Sequence, residues 1–293
     1  MPFARRQIDV RFDLEQAAFP NGSTSLTLTG YRAQATISTV QGAGSLAVNS
    51  LELRIYGMTL ADMNTLSVWQ PVSSTLSNNT VTVSAGNEGT PLNVAFAGTI
   101  FSAVVDAGQP EMSFVVSGQG GLWTRFATAA ANSWPGTQDV ASIIGGLAKQ
   151  AGFAFRNHGV TAKLSGQYAC GTVLDQIERV ATASQTIVLL DDSNTVHIWP
   201  SGDVPDFPEV NLAAGSGLIG YPKFNDCGIH VKAEWNPLFL YGTLANIGSS
   251  IPMASGKWMI GRAVHDLSTL APGGPWFSEL DLYLQGWGNA RRN

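Results

Sequence analysis

The chain has 293 residues, 44% of them hydrophobic and 13% charged, against about 25% charged in an average domain. A chain of this size and apolar content can bury real cores, and its low charge leaves much neutral surface that is cheap to desolvate, as suits an assembly subunit. The net charge is −5 and the only basic pairs are Arg5-Arg6 and Arg291-Arg292, which excludes the Lys/Arg-rich stripe that phosphate recognition needs.

The N-terminal Met1-Pro-Phe-Ala-Arg-Arg6 has no apolar run behind it, and no later run approaches the roughly 18 apolar residues needed to span a bilayer. A cytoplasmic product without a membrane anchor is expected. Strands are predicted over Gln7–Leu14, Ser25–Leu28, Gln34–Thr39, Leu46–Tyr56, Thr80–Val83, Asn93–Val105 and Met112–Ser117. In Ser25-Leu-Thr-Leu-Thr29 and Asn79-Thr-Val-Thr-Val-Ser84 the apolar residue returns every second position, the mark of antiparallel strands with one buried face. Thr59 can cap one short helix, with Asp62 three residues on. Gly118, Gly120 and Gly121 follow a strand, but Trp123 stands where the third glycine of a dinucleotide fingerprint belongs, and no Walker lysine follows. A turn is expected there.

After Asn132-Ser-Trp-Pro-Gly136, which reads as punctuation, Val140, Ile143, Ile144, Leu147 and Ala151 fall at helical spacing. A short strand is predicted at Phe153–Arg156. Thr172 and Asp175 form a capping box for a second helix with Val173, Leu174, Ile177, Val180 and Ala181 on one face. A hairpin over Ile187–Leu190 and Thr195–Trp199 turns at Asp191-Asp-Ser-Asn194 and closes this small α/β part at Pro200. Ser201-Gly-Asp-Val-Pro-Asp-Phe-Pro208 is a stiff linker by composition, and β texture returns at Ile219–Phe224, Cys227–Trp235, Leu238–Ile247, Trp258–His265 and Phe277–Leu284. The last two strands flank a loop holding Ala271-Pro-Gly-Gly-Pro275. The predicted class is mainly β with an α/β insert, α+β overall. Its domains are 1–132 (β), 133–205 (α/β, with two helices, a short strand and a hairpin) and 206–293 (β).

Candidate chemistry is sparse, and no catalytic, cofactor-binding or metal-ligating residue is predicted. Cys170 and Cys227 have neither metal-site spacing nor the number for a disulfide framework, so free buried thiols are expected. The histidines are scattered at His158, His197, His230 and His265. His230 and Glu234 share a strand face and read as a surface polar pair. His265 and Asp266 point to opposite faces of a strand, so His265 reads as a loop anchor. Asp191-Asp192 could be imagined as a glycosidase pair, but at a hairpin they read as turn formers. The eight tryptophans, Trp69, Trp123, Trp134, Trp199, Trp235, Trp258, Trp276 and Trp287, sit mostly at strand ends, where they more often seal cores than line a sugar groove.

The closing segment carries a resemblance. Asn236-Pro237 ends a strand, a later strand runs into His265, Gly273-Gly274 sit in the loop, and Trp276 opens the final strand. In that order these features resemble baseplate hub proteins of tailed phages, particularly contractile-tailed ones. Leu92-Asn-Val-Ala-Phe-Ala-Gly-Thr-Ile100 resembles the family's first half. One departure is that Leu238-Phe-Leu-Tyr-Gly242 stands where a proline-glycine turn is expected soon after Asn236-Pro237.

The resemblance implies two tail-tube-like antiparallel β-barrel or sandwich domains flanking the α/β domain. It also implies a non-enzymatic homotrimer of pseudo-sixfold symmetry that joins the hexameric tail tube protein to a trimeric central spike or needle protein. DNA would pass through the lumen at genome ejection without specific binding, and wedge and tape-measure proteins would be neighbours. The place implied is the virion, in the tail baseplate, after assembly in the host cytoplasm. His265, Trp276, Asn236 and Pro237 would be structural loop anchors. The competing expectations are a carbohydrate-binding or glycan-cleaving β protein at a tail tip, and the hub of a contractile injection system.

Overall fold

A computed structural model describes residues 5–41, 46–68, 77–108, 111–226 and 228–284. The first elements are β1 (Arg6–Asp13), β2 (Ser25–Thr29), β3 (Arg32–Gln41), β4 (Leu46–Tyr56), α1 (Leu60–Leu66), β5 (Thr80–Asn87), β6 (Asn93–Asp106) and β7 (Ser113–Gln119). Then come α2 (Leu122–Phe126), β8 (Asn132–Asp139), α3 (Val140–Gln150), β9 (Ala154–Asn157), β10 (Lys163–Ala169), α4 (Val173–Ala183), β11 (Thr186–Leu190) and β12 (Thr195–Pro200). The remainder is β13 (Val210–Ala213), β14 (Leu218–Asn225), β15 (Gly228–Glu234), β16 (Leu244–Gly248), β17 (Gly256–Thr269) and β18 (Trp276–Tyr283). The protein is mainly β with few helices, as its alternating strands and short turns require.

Two compact units are formed. The described parts of Met1–Ser38, Asn49–Trp123 and His265–Trp276 make the first, and those of Thr39–Val48, Thr124–Val264 and Phe277–Asn293 the second.

In the first unit the strands run in the order β3-β4-β7-β6-β5-β1-β2, with the end of β17 beside β3. Period-two burial explains the pairing. Ile8, Val10 and Phe12 of β1 and Val81, Val83 and Ala85 of β5 are buried, while the residues between them reach solvent. α1 begins as the sequence predicts, the Asp62 N–H donating to the Thr59 hydroxyl over 3.2 Å. The β6–β7 register shifts between Ile100 and Ser102, leaving Phe101 outside the ladder and 46% exposed. Gly120-Gly121 form the turn expected of the glycine cluster, whereas Gly118 lies inside β7.

The second unit holds two cores and a small cluster. Val140, Ile144 and Leu147 of α3 and Leu174, Ile177 and Val180 of α4 are buried against Val188, Leu190, Val196 and Ile198 of β11 and β12. The capping box is present, with the Asp175 N–H donating to Thr172 Oγ1 at 3.2 Å and the Thr172 N–H to Asp175 Oδ2 at 3.0 Å. β11 and β12 pair antiparallel, as predicted, while β9 adds in parallel to β12. Strands β14-β15-β18-β17 form an antiparallel array, with β16 pairing β17 and β13 adding in parallel to β16. Ile229, Val231, Ile260, Leu280 and Leu282 fill its core. At β14 the register with β15 shifts between Ile219 and Lys223, around the buried Pro222.

Three local expectations are corrected. Asn132-Ser-Trp-Pro-Gly136 begins β8, which among the described residues pairs only with β10. Pro135 is tolerated there because a two-stranded ribbon leaves one side of each strand free of ladder bonds, and a bulge between Ser165 and Gln167 absorbs the irregularity. The strand expected over Leu238–Ile247 is confined to Leu244–Gly248, because residues 238–243 form a turn that buries Phe239 and Tyr241 instead. The strand expected to stop at His265 continues to Thr269. Strands β10 and β13 and helix α2 carry no strong sequence period and were not predicted.

Candidate functional site

The loop between β17 and β18 is built from β17's last turns inward. His265 lies within the strand, 8% exposed, and desolvation lowers its pKa to about 4, so the imidazole is neutral in the fold. Asp266 faces the other way and accepts from Thr36 Oγ1 at 2.8 Å, which is the opposition of faces expected for neighbours on a strand. The strand then ends through hydroxyls. Thr269 Oγ1 donates to the Tyr31 carbonyl at 3.0 Å, and Ser268 Oγ donates to the Pro275 carbonyl at 3.1 Å. Leu270 takes φ +53° and is 46% exposed, and the Gly274 N–H returns to the Ala271 carbonyl at 3.0 Å. A β-carbon on Gly274 would lie 2.0 Å from Ser268 Oγ, so the glycine is what lets that hydroxyl close the loop. Trp276 is half-buried, with the Arg6 guanidinium 5.3 Å from its ring centre.

The second corner follows β15. Asn236 Oδ1 accepts the Leu238 N–H at 3.0 Å and its carbonyl accepts the Phe239 N–H at 3.1 Å, with Pro237 between them. Phe239 and Tyr241 are buried, at 2% and 6% exposure. Gly242 takes φ +89°, and a β-carbon there would meet Trp199 at 3.0 Å and Pro205 at 3.1 Å. That positive φ stops the strand expected here. The departure from a proline-glycine turn is thus a glycine corner four residues further on, held by the apolar run before it.

Around that corner, Trp199, Tyr241, Leu189 and Ala47 form a buried cluster with Phe207 against it. The 201–208 segment is therefore packed, and Pro205 is itself buried. The same segment brings together histidines that the sequence shows only as scattered. His158 Nδ1 bonds Asp206 Oδ1, His158 Nε2 lies 2.9 Å from His197 Nδ1, and His197 Nε2 lies 3.0 Å from Asp191 Oδ2. Asp191 Oδ1 also accepts from the backbone of Ser193 and Thr195, at 2.9 and 2.8 Å, so it is a turn former and an acceptor together. The hydrogen bond from His158, followed by its charge, holds the Asp206 carboxyl below the usual carboxylate range. No sequence period announces this row, because its members come from three separate segments.

His230 bonds Asp281 at 2.9 Å across β15 and β18, and Asp281 also meets Arg262 at 3.4 Å. Glu234 shares the strand face of His230, opposite Phe277 in the ladder. Among the described residues no group of three or more His, Cys, Asp or Glu is placed to hold a metal ion. Trp199 and Trp258 are buried, and Trp123, Trp134, Trp235 and Trp276 are half-buried. Trp69, Trp287, Cys227 and Arg291-Arg292 lie outside the described residues, and Cys170 is a free, half-buried thiol. No helix among the described residues is long and apolar enough to cross a membrane.

The architecture is similar to that of several solved proteins. A family model described as baseplate hub gp41 matches residues 21–270. No curated protein matches the chain. A tail protein from Neisseria meningitidis MC58 superposes with a TM-score of 0.63 at 10% identity, over 98% of this chain and 98% of that one. The 43 kDa tail protein of prophage MuSo2 from Shewanella oneidensis gives 0.59 at 10% identity, over 95% and 97%. A type VI secretion component of E. coli, described as structurally similar to the T4 tail proteins gp27 and gp5, gives 0.54 at 11% identity, over 93% and 76%.

Proposed function

Because the chain belongs to the baseplate hub gp41 family, we propose that it is a structural hub subunit whose three copies form a ring joining the tail tube to the central spike. The observation that carries this reading is the span of the family match, which runs through both β parts and the α/β part between them. If 1–132 and 206–293 each act as a tube-like domain flanking 133–205, a trimer presents six similar faces. That would meet a hexameric tube above and a trimeric spike below without changing protomer. The ring would line the DNA channel, where a chain of net charge −5 disfavours holding the passing phosphates. Its partners would be further copies of itself, the tube and spike proteins, and wedge and tape-measure components. His265 and Trp276 would shape one loop and Asn236 and Pro237 another, with no chemistry of their own.

Mass decides it. Light scattering of the purified chain and images of assembled tails should show three copies on the tail axis, and a monomer that never enters a tail removes the proposal. The fold likeness to a secretion-system component favours, as a second reading, the hub of an injection machine. Particles that carry this chain and package no DNA would select that reading.

A further inference from the structure

The row Asp206, His158, His197, Asp191 has a proton count that its geometry dictates. Ionised carboxylates only accept, so the ring atoms facing them, His158 Nδ1 and His197 Nε2, each carry a proton. The other two ring nitrogens, His158 Nε2 and His197 Nδ1, face each other at 2.9 Å, and a hydrogen bond there needs a proton on one of them. Three protons on four ring nitrogens make one imidazolium shared by the pair. Remove it and two lone pairs are opposed, or one ring must turn and abandon its carboxylate. The row is also enclosed. The His158 and His197 side chains are only 7% and 8% exposed, and Phe207 packs edge-on against both rings at 5.2 and 5.1 Å between centroids. The charged groups carried by the elements around the pair are Arg156 on β9, Asp191 and Asp192 in the β11–β12 turn, and Asp203 and Asp206 on the 201–208 segment.

We propose that this row is a proton-dependent latch fastening the 201–208 segment to β12 and to the loop after β9. Asp206, 87% exposed, is the removable end, while Asp191 is fixed by its own turn. With the shared proton in place, both carboxylates and both rings are satisfied and Phe207 is held over them. As pH rises and the shared proton leaves, the central bond is lost and the segment loosens. The sign follows from the count: the stabilising state binds the extra proton, so its contribution is present on the acid side and lost on the alkaline side.

The test uses the full chain. Hydrogen exchange of the 201–209 peptide, taken relative to its intrinsic rate at each pH, should speed about tenfold between pH ~5.5 and ~8.5. Asp206→Ala, which removes the acceptor facing His158 Nδ1, should leave the peptide fast at every pH. In histidine-labelled protein the same substitution should move the ring signals of His197 as well as those of His158, while those of His230 and His265 stay put. Asp203→Asn, next door but outside the row, should keep the native profile. Protection that is flat with pH, or an Asp206→Ala protein that retains the native profile, overturns the latch. Asp206 is exposed, so its substitution tests the latch without threatening the fold.

Discussion

The corner at Asn236–Gly242 and the loop at Leu270–Pro275 both turn a strand with the help of a glycine, and they are held by different forces. At the first, Phe239 and Tyr241 are driven into a core, and Gly242 is required because a β-carbon would strike Trp199 and Pro205. At the second, the hydroxyls of Ser268 and Thr269 reach backbone carbonyls and the loop tip stays in water. The lesson is that turn-forming residues tell where a chain bends, while burial decides how much free energy the bend holds. A hydrogen bond exchanged with water contributes about 1 kcal/mol, and a buried aromatic ring several times that.

Phe239→Ala should give the largest effect, about 3–5 kcal/mol of lost stability in denaturant unfolding, since its ring is almost wholly buried. A loss under about 1 kcal/mol would mean that burial does not hold this corner. Acid should act on the loop strand instead. With its pKa lowered to about 4, His265 favours the fold fully above its unfolded value near 6.5 and progressively less as pH falls toward 4. Thermal melts of native protein and His265→Gln should therefore diverge most in slope between pH ~4 and ~6.5, the native chain losing up to about 3 kcal/mol there. Parallel curves would show that His265 does not titrate against the fold. Trp276→Ala should cost about 1–2 kcal/mol, less than a core tryptophan, because the ring is half-buried beneath Arg6. An effect as large as that of Phe239→Ala would erase the distinction between the corners. Ser268→Ala should cost least, about 1 kcal/mol, and unchanged melting would show that the loop closes without this hydroxyl.

Much of this was legible where a period or a cap exists. Thr172 and Asp175 announced α4, Val140 to Leu147 announced α3, and the alternating β1 and β5 announced a one-sided sheet. The extended run Leu238–Tyr241 misled for a physical reason. Apolar residues in succession suit a buried strand and a buried turn equally, and only the φ of Gly242 separates them. β8 was hidden by Pro135 and Gly136, which signal a break in most contexts. The latch was invisible because His158 and His197, thirty-nine residues apart, meet only after β9 has added in parallel to β12. The Asx turn at Asn236 is a local event, set between residues two apart.

The register break at β14 bears on how copies of this protein can come together. A sheet that ends in an unbroken strand offers its spare N–H and C=O groups to any passing strand, and growth by such addition has no natural stopping point. Here the terminal strand of the sheet order slips its register between Ile219 and Lys223, and Pro222 has no N–H to give. Tyr221 and Phe224 meanwhile stand 70% and 54% exposed. At this edge the slipped strand is a poor backbone template, and recognition there falls to the exposed side chains. An edge interrupted in this way discourages open-ended strand addition.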